Sequence, residues 1–271
     1  MDYKLSPSDL TYLYEDCKRC FVLKVKHNIT RPSIALPWIF NKIAGMQKDF
    51  YSGRRTEEFC KNLPPGITTY GEHWVQSDVI TFPGQASGCF IKGRFDIVVE
   101  FDSSDYGVID FKTREAGEEP TQMYGRQLHA YAHALENPAP GELSLTPITK
   151  LGLLYFSPSA CELKGARQSI SGPLEWVEVN HDDAAFKVFL EQVVRLLDAT
   201  VPPPQICGIC SHCQTGETCG AKSGRTPWHK VPCTCCPWCI YDQQTSRLAG
   251  IGTSTTGVVA PAVPSNSRII P

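Results

Sequence analysis

The stretch from Cys89 to Lys112 constrains the fold more than any other part of the chain. Two apolar runs, CFIKGRFDIVVEF and VIDFK, flank a polar turn, and each run carries one aspartate. Runs this rich in Val, Ile and Phe predict buried strands, Cys89 to Phe101 and Val108 to Lys112, joined as a hairpin through the Asp102 to Gly107 turn. A carboxylate inside such a strand needs a partner, because a charge leaves water only at large cost. Strand alternation puts Asp110 and Lys112 on one face, and the hairpin brings Asp96 toward them. The plain structural reading is an ion pair, Asp110 with Lys112 or Asp96 with Arg94, on a solvated sheet edge. The chemical reading is a hydrolytic site. Two carboxylates would share a hard cation, Mg²⁺ or Mn²⁺, and the Lys112 ammonium would orient water or offset charge building on a phosphate.

The elements around this hairpin follow from periodicity. Ser6 and Pro7 start an amphipathic helix with Leu10, Leu13, Tyr14, Cys17 and Phe21 at helical spacing, and a second helix is expected from Pro37 to Tyr51 with Trp38, Ile39, Ile43 and Phe50 as its apolar side. His73 to Phe82 alternates weakly and reads as a strand. Pro120 opens a helix running to Glu136, strands are expected at Lys150 to Phe156 and Leu174 to Val179, and Asp182 caps a last helix with Phe186, Phe189, Leu190, Val193, Val194 and Leu197 on one face. The third helix puts Gln127 and Tyr131 at i and i+4, where both reach one neighbour. His129 and His133 share that spacing but lack a visible third zinc ligand, so they read as polar surface or loosely substrate-facing residues.

Taken together, GRFD, then VIDFKT, then QLHAYAHAL resemble, over roughly the first 220 residues, the PD-(D/E)xK nucleases, in particular RecB-type nuclease domains and the CRISPR-associated iron–sulfur exonuclease family. The resemblance implies an α/β, restriction-endonuclease-like core with a mixed central sheet flanked by helices. It implies Asp96 and Asp110 as metal ligands with the Phe111 carbonyl, Lys112 as the catalytic lysine, and Gln127 and Tyr131 as supporting residues. The family usually adds an acidic residue or histidine from the helix before the sheet; GMQKDFY offers no histidine, so Asp49 is taken as that ligand, with Glu57, Glu58 and Glu72 as substitutes.

Thirteen cysteines in a chain of 271 residues, an odd number and without an export signal, argue for metal ligation over a disulfide scaffold. Cys207, Cys210, Cys213, Cys219, Cys233, Cys235, Cys236 and Cys239 crowd one segment. The spacing of Cys210, Cys213 and Cys219 resembles the cluster ligands of the same families, which implies a [4Fe–4S] cluster completed by Cys17, or by neighbouring Cys20, from the first helix. Structural Zn²⁺ on two CxxC knuckles, Cys207/Cys210 and Cys236/Cys239, is the alternative. Cys60, Cys89 and Cys161 read as ordinary core or surface residues.

The expected organisation is a nuclease core over residues 1–204, a cysteine-rich metal or iron–sulfur lobe over 205–242, and a disordered Ser/Thr/Gly/Pro tail over 243–271. The formal charge of -2 excludes a generally basic, polyanion-coating protein. DNA would instead meet a local groove of Lys42, Lys48, Arg54, Arg55, Lys92, Arg94, Arg114 and Arg126. No P-loop occurs, so unwinding needs a partner. No apolar run spans a bilayer, and a cytoplasmic protein is expected. The functional expectation is a metal-dependent deoxyribonuclease, an exonuclease more than an endonuclease, working on DNA ends or single strands in CRISPR adaptation, recombination or repair beside a helicase or adaptation proteins. The alternatives are an inactive nucleic-acid-binding module of the same fold and a zinc-binding interaction protein.

Overall fold

The computed structural model describes residues 1–30, 37–116, 118–200 and 203, all within one compact unit, Met1–Thr218. Strand β1 (Tyr3–Leu5) leads into a π-helical turn (Asp9–Leu13), α1 (Tyr14–Asp16), α2 (Lys18–His27) and α3 (Trp38–Tyr51). A 3-10 turn (Thr56–Glu58) precedes β2 (Gly66–Gly71), β3 (Trp74–Gln76), β4 (Cys89–Arg94), β5 (Ile97–Phe101) and β6 (Tyr106–Thr113). Then come α4 (Glu118–Glu136), β7 (Ile148–Phe156), β8 (Ala160–Lys164), β9 (Arg167–Ser171), β10 (Leu174–Val179) and α5 (Asp183–Asp198).

The central sheet runs β10-β7-β6-β5-β2 and is mixed: β6 and β7 are parallel, while the other pairs are antiparallel. Parallel neighbours need a crossover, and α4 supplies it between β6 and β7. Side-chain alternation on β6 then decides the layers. Ile109 and Phe111 face a core shared with Ile97, Val99, Phe101, Leu154 and Tyr51 of α3, whose ring stacks on Phe111 at 5.3 Å. Asp110 projects to the opposite face, toward Gln127 of α4. Behind α4 lies α5, begun as expected by Asp182, whose side chain accepts from the Ala185 amide at 2.8 Å.

Several elements differ from their sequence expectation. The strand expected from Cys89 to Phe101 breaks at Phe95 and Asp96, so that β4 joins a second sheet, β1-β4-β3, while β5 stays in the central one. The first helix is interrupted at Cys17, whose extended backbone (φ -163°, ψ 106°) lets its sulfur accept from the Cys20 amide and cap α2. Helix α3 matches its expected span, yet Trp38, Ile39 and Phe50 are exposed and only Tyr51 is buried. The expected His73 to Phe82 strand shrinks to β3, and β1, β2 and the exposed β8–β9 hairpin appear where no strand was expected.

The α/β core with a mixed sheet between helices is therefore present, but the cysteine-rich metal lobe expected beside it is not supported. Among the described residues no group of three or more His, Cys, Asp or Glu side chains is able to hold a metal ion. Cys210, Cys213 and Cys219, like the other cysteines from Cys207 onward and the tail, lie outside the described residues. Cys17 and Cys20 are buried at the start of α2. Cys60 and Cys89 are buried and Cys161 is exposed.

Candidate active site

The site is built on the end of β6. Asp110 is buried, and its two oxygens are divided between neighbours: Oδ1 accepts from Gln127 Nε2 at 3.0 Å, and Oδ2 is ion-paired with the Lys112 ammonium. The shared face that strand alternation requires is thus realised. Burial pushes the Asp110 carboxyl up to about 6, with the Lys112 charge pulling it back and the nearby Asp96 charge pushing it further. Burial opposes the Lys112 charge too, but attraction to Asp110 outweighs that and holds the ammonium above the usual lysine range. Lys112 also lies 4.5 Å from the centre of the Tyr124 ring, a cation–π contact. Tyr12 packs edge-on against Tyr124, and burial pushes its phenol up to about 12 despite the Lys112 charge.

Asp96 enters from the bend between β4 and β5. Its Oδ2 accepts from the Phe111 amide at 3.2 Å, which ties the bend to the residue after Asp110. Its Oδ1 lies 2.8 Å from Lys48 Nζ, an ion pair supplied by α3. Lys48 also donates to Glu72 Oε1 at 2.6 Å, and the other Glu72 oxygen lies 3.3 Å from Arg94. Burial opposes the Lys48 charge, but its bonds to Asp96 and Glu72 outweigh it and raise the ammonium above its ordinary value. Glu72 holds φ at 36°, a left-handed conformation that costs a non-glycine residue about 1–3 kcal/mol. That strain is held where its carboxylate serves two cations.

Helix α4 completes the constellation. Tyr131 donates through its hydroxyl to the Arg94 carbonyl at 2.8 Å and accepts from Gln127 Nε2 at 3.3 Å. The close approach depends on Gly93, since a Cβ there would stand 3.2 Å from the Tyr131 ring and 2.6 Å from the Pro7 ring. On the other side of α4, His129 Nδ1 bonds the Gly125 carbonyl while its Nε2 accepts from the Asp182 amide, and His133 is buried against Asp183 at 2.8 Å. His133 is buried rather than at the surface, while His129 is half-buried. They fasten the start of α5.

Asp96, Asp110, Lys112, Gln127 and Tyr131 are therefore brought together, and Phe111 joins them through its amide. Asp49 is not among them: it is exposed, while its neighbour Lys48 makes the contact with Asp96. Sequence reasoning placed Lys48 in a DNA groove and kept Glu72 as a substitute ligand, and it overlooked Tyr12 and Tyr124. The Mg²⁺ or Mn²⁺ expectation is corrected along with the iron–sulfur and zinc expectations. The two carboxylates are each compensated by an ammonium, and no third ligand joins them among the described residues. Much of the expected basic groove is also internally neutralised, with Arg54 paired to Glu58, Arg55 to Glu57 and Asp102, and Arg126 to Glu15.

The family model described as the PD-(D/E)XK nuclease superfamily matches residues 53–220. That span contains Asp96, Asp110, Lys112, Gln127 and Tyr131. The match is to the superfamily, and the narrower resemblance to RecB-type and CRISPR-associated exonucleases is not carried by it. No curated protein matches the chain. Among solved structures, the crystal structure of SSO0001 aligns over 81% of this chain and 87% of that chain, at 17% identity and a TM-score of 0.42. No described helix is long and apolar enough to cross a membrane.

Proposed function

Because the chain belongs to the PD-(D/E)XK nuclease superfamily, we propose that it hydrolyses phosphodiester bonds of DNA, at single strands or ends, with Asp96, Asp110 and Lys112 at the reacting centre. The observation that carries this reading is the Asp110 carboxyl, buried and set between the Lys112 ammonium and the Gln127 amide. A fold alone does not require a charge there; an apolar pair of similar volume would often be as stable or more so. In hydrolysis, negative charge builds on the phosphate oxygens, and the Lys112 ammonium is positioned to offset it. Asp110 holds the attacking water or draws its proton, with Gln127 fixing the carboxylate's orientation. The buried Gln127 Oε1, without a hydrogen-bond partner among the described residues, adds an acceptor for that water or for a sugar hydroxyl. Lys48 supplies a second cation at Asp96.

One observation favours a second reading. Both carboxylates are already neutralised by lysines, as a nucleic-acid-binding module that has stopped cutting would tolerate. End-labelled DNA incubated with the full chain, with and without divalent cations, separates the two. Cutting that disappears in Lys112→Met supports the nuclease; binding without cutting under every condition supports the module.

A further inference from the structure

We propose that the outer face of the β1-β4-β3 sheet is a docking track for a single-stranded nucleic acid and delivers the strand to the Asp96 bend, a proposal that rests on the hydrolytic reading above. Strand register defines this face. On β4, Cys89, Ile91 and Gly93 are buried, Gly93 lying against Pro7 and Tyr131, so the alternate residues Phe90, Lys92 and Arg94 point the other way. Their cross-strand partners are Lys4 beside Phe90, Gln76 beside Lys92 and Trp74 beside Arg94. One face therefore collects three cations, Lys4, Lys92 and Arg94, and two rings, Phe90 and Trp74. Lys4 and Arg94 are exposed, Phe90 and Lys92 are half-buried, and Trp74 is 58% exposed.

Charge selects a polyanion for this face. Among the described residues, Glu72 is the one acidic side chain bonded to these three cations, through Arg94, and Lys92 donates to the neutral Gln76 at 3.0 Å. The rings narrow the choice. An exposed indole flanked by phosphate-binding cations stacks on a base whose faces are free, and a duplex hides those faces. Continuity supplies the direction. The chain leaving Arg94 passes through one residue to Asp96, and Arg94, Glu72, Lys48 and Asp96 form an unbroken sequence of ion pairs from the track to the site. The sequence offered Lys92 and Arg94 as two of eight groove cations, but Trp74, Phe90, Lys4 and the face they share carried no signal there.

The test is fluorescence anisotropy of labelled oligothymidylate with the full chain, repeated in Asp110→Asn so that the probe is not consumed. Trp74→Ala should weaken binding about tenfold. Lys4→Ala and Lys92→Ala should each lower the slope of log affinity against log salt by about 0.7. Trp38→Ala, removing an indole that is 72% exposed on α3, should leave affinity unchanged. The track is overturned if Trp74→Ala and Lys92→Ala bind like the parent, if Trp38→Ala weakens binding equally, or if duplex competes as well as single strand. Parent cutting that Lys112→Met removes, with Trp74→Ala binding normally, would leave the hydrolytic reading and reject the track. Binding that depends on Trp74 with no cutting by the parent would do the reverse.

Discussion

Helix α4 carries two polar pairs at the same spacing, and they do opposite work. Gln127 and Tyr131 turn toward β6 and the Arg94 carbonyl, where they orient a buried carboxylate. His129 and His133 turn toward α5 and close hydrogen bonds at its first residues. Spacing alone makes the histidines the more suggestive pair, since i and i+4 imidazoles are familiar metal ligands. What separates the pairs is what each meets across the interface: a charge that packing does not need on one side, and the start of a helix on the other.

The largest effect that sharpens this contrast is on catalysis. Gln127→Leu removes a hydrogen bond to a buried charged group, so cutting per folded molecule should fall about 10- to 100-fold, beyond the roughly 1–3 kcal/mol of stability that the unpaired Asp110 oxygen costs. Single-turnover rates and a melting curve check it, and an unchanged rate would place Gln127 in the scaffold. His133→Leu should lose stability alone. Losing the Asp183 contact should cost about 1–3 kcal/mol of stability in denaturant, while activity per folded molecule stays at the parent level.

A smaller effect lies in pH. The folded Asp110 carboxyl stands near 6, above its unfolded value of about 3.9, so its contribution to stability is fully present below about pH 4 and is lost as pH rises through about 6. The folded His129 is pushed below its ordinary value, chiefly by burial, so it stabilises the protein above an unfolded value of about 6.5 and withdraws that support as pH falls. Acidification from neutrality should therefore stabilise through one face of α4 and destabilise through the other. Melting temperatures across pH for Asp110→Asn and His129→Gln should deviate from the parent with opposite slopes. Deviations of the same sign would break the comparison.

The sequence made the β6 half of the site readable because alternation is a local property: Asp110 and Lys112 share a face whatever the rest of the chain does. It also showed Gln127 and Tyr131, since helical spacing is equally local. Lys48 was hidden by the opposite circumstance. Its role depends on how α3 packs beside the Asp96 bend, and the adjacent Asp49 offered a more conventional ligand. The bend itself was unreadable because Phe95 and Asp96 interrupt an otherwise uniform β-forming run, and only Asp96 meeting the Phe111 amide shows why the strand changes sheets there. The metal expectation failed for a related reason. Ligand identity was inferred from residue type, whereas Asp96 and Asp110 are each paired with an ammonium in the fold.

The central claim is that the buried Asp110 and Lys112 pair is kept for phosphodiester hydrolysis. The measurement that tests it most directly is the cleavage rate of end-labelled single-stranded DNA by the parent, Asp110→Asn and Lys112→Met chains, each confirmed folded by circular dichroism. The account predicts cutting by the parent and a loss of at least about 100-fold in both variants, as removing a transition-state charge interaction requires. Parent-like cutting by both folded variants would contradict it and leave the pair a structural ion pair.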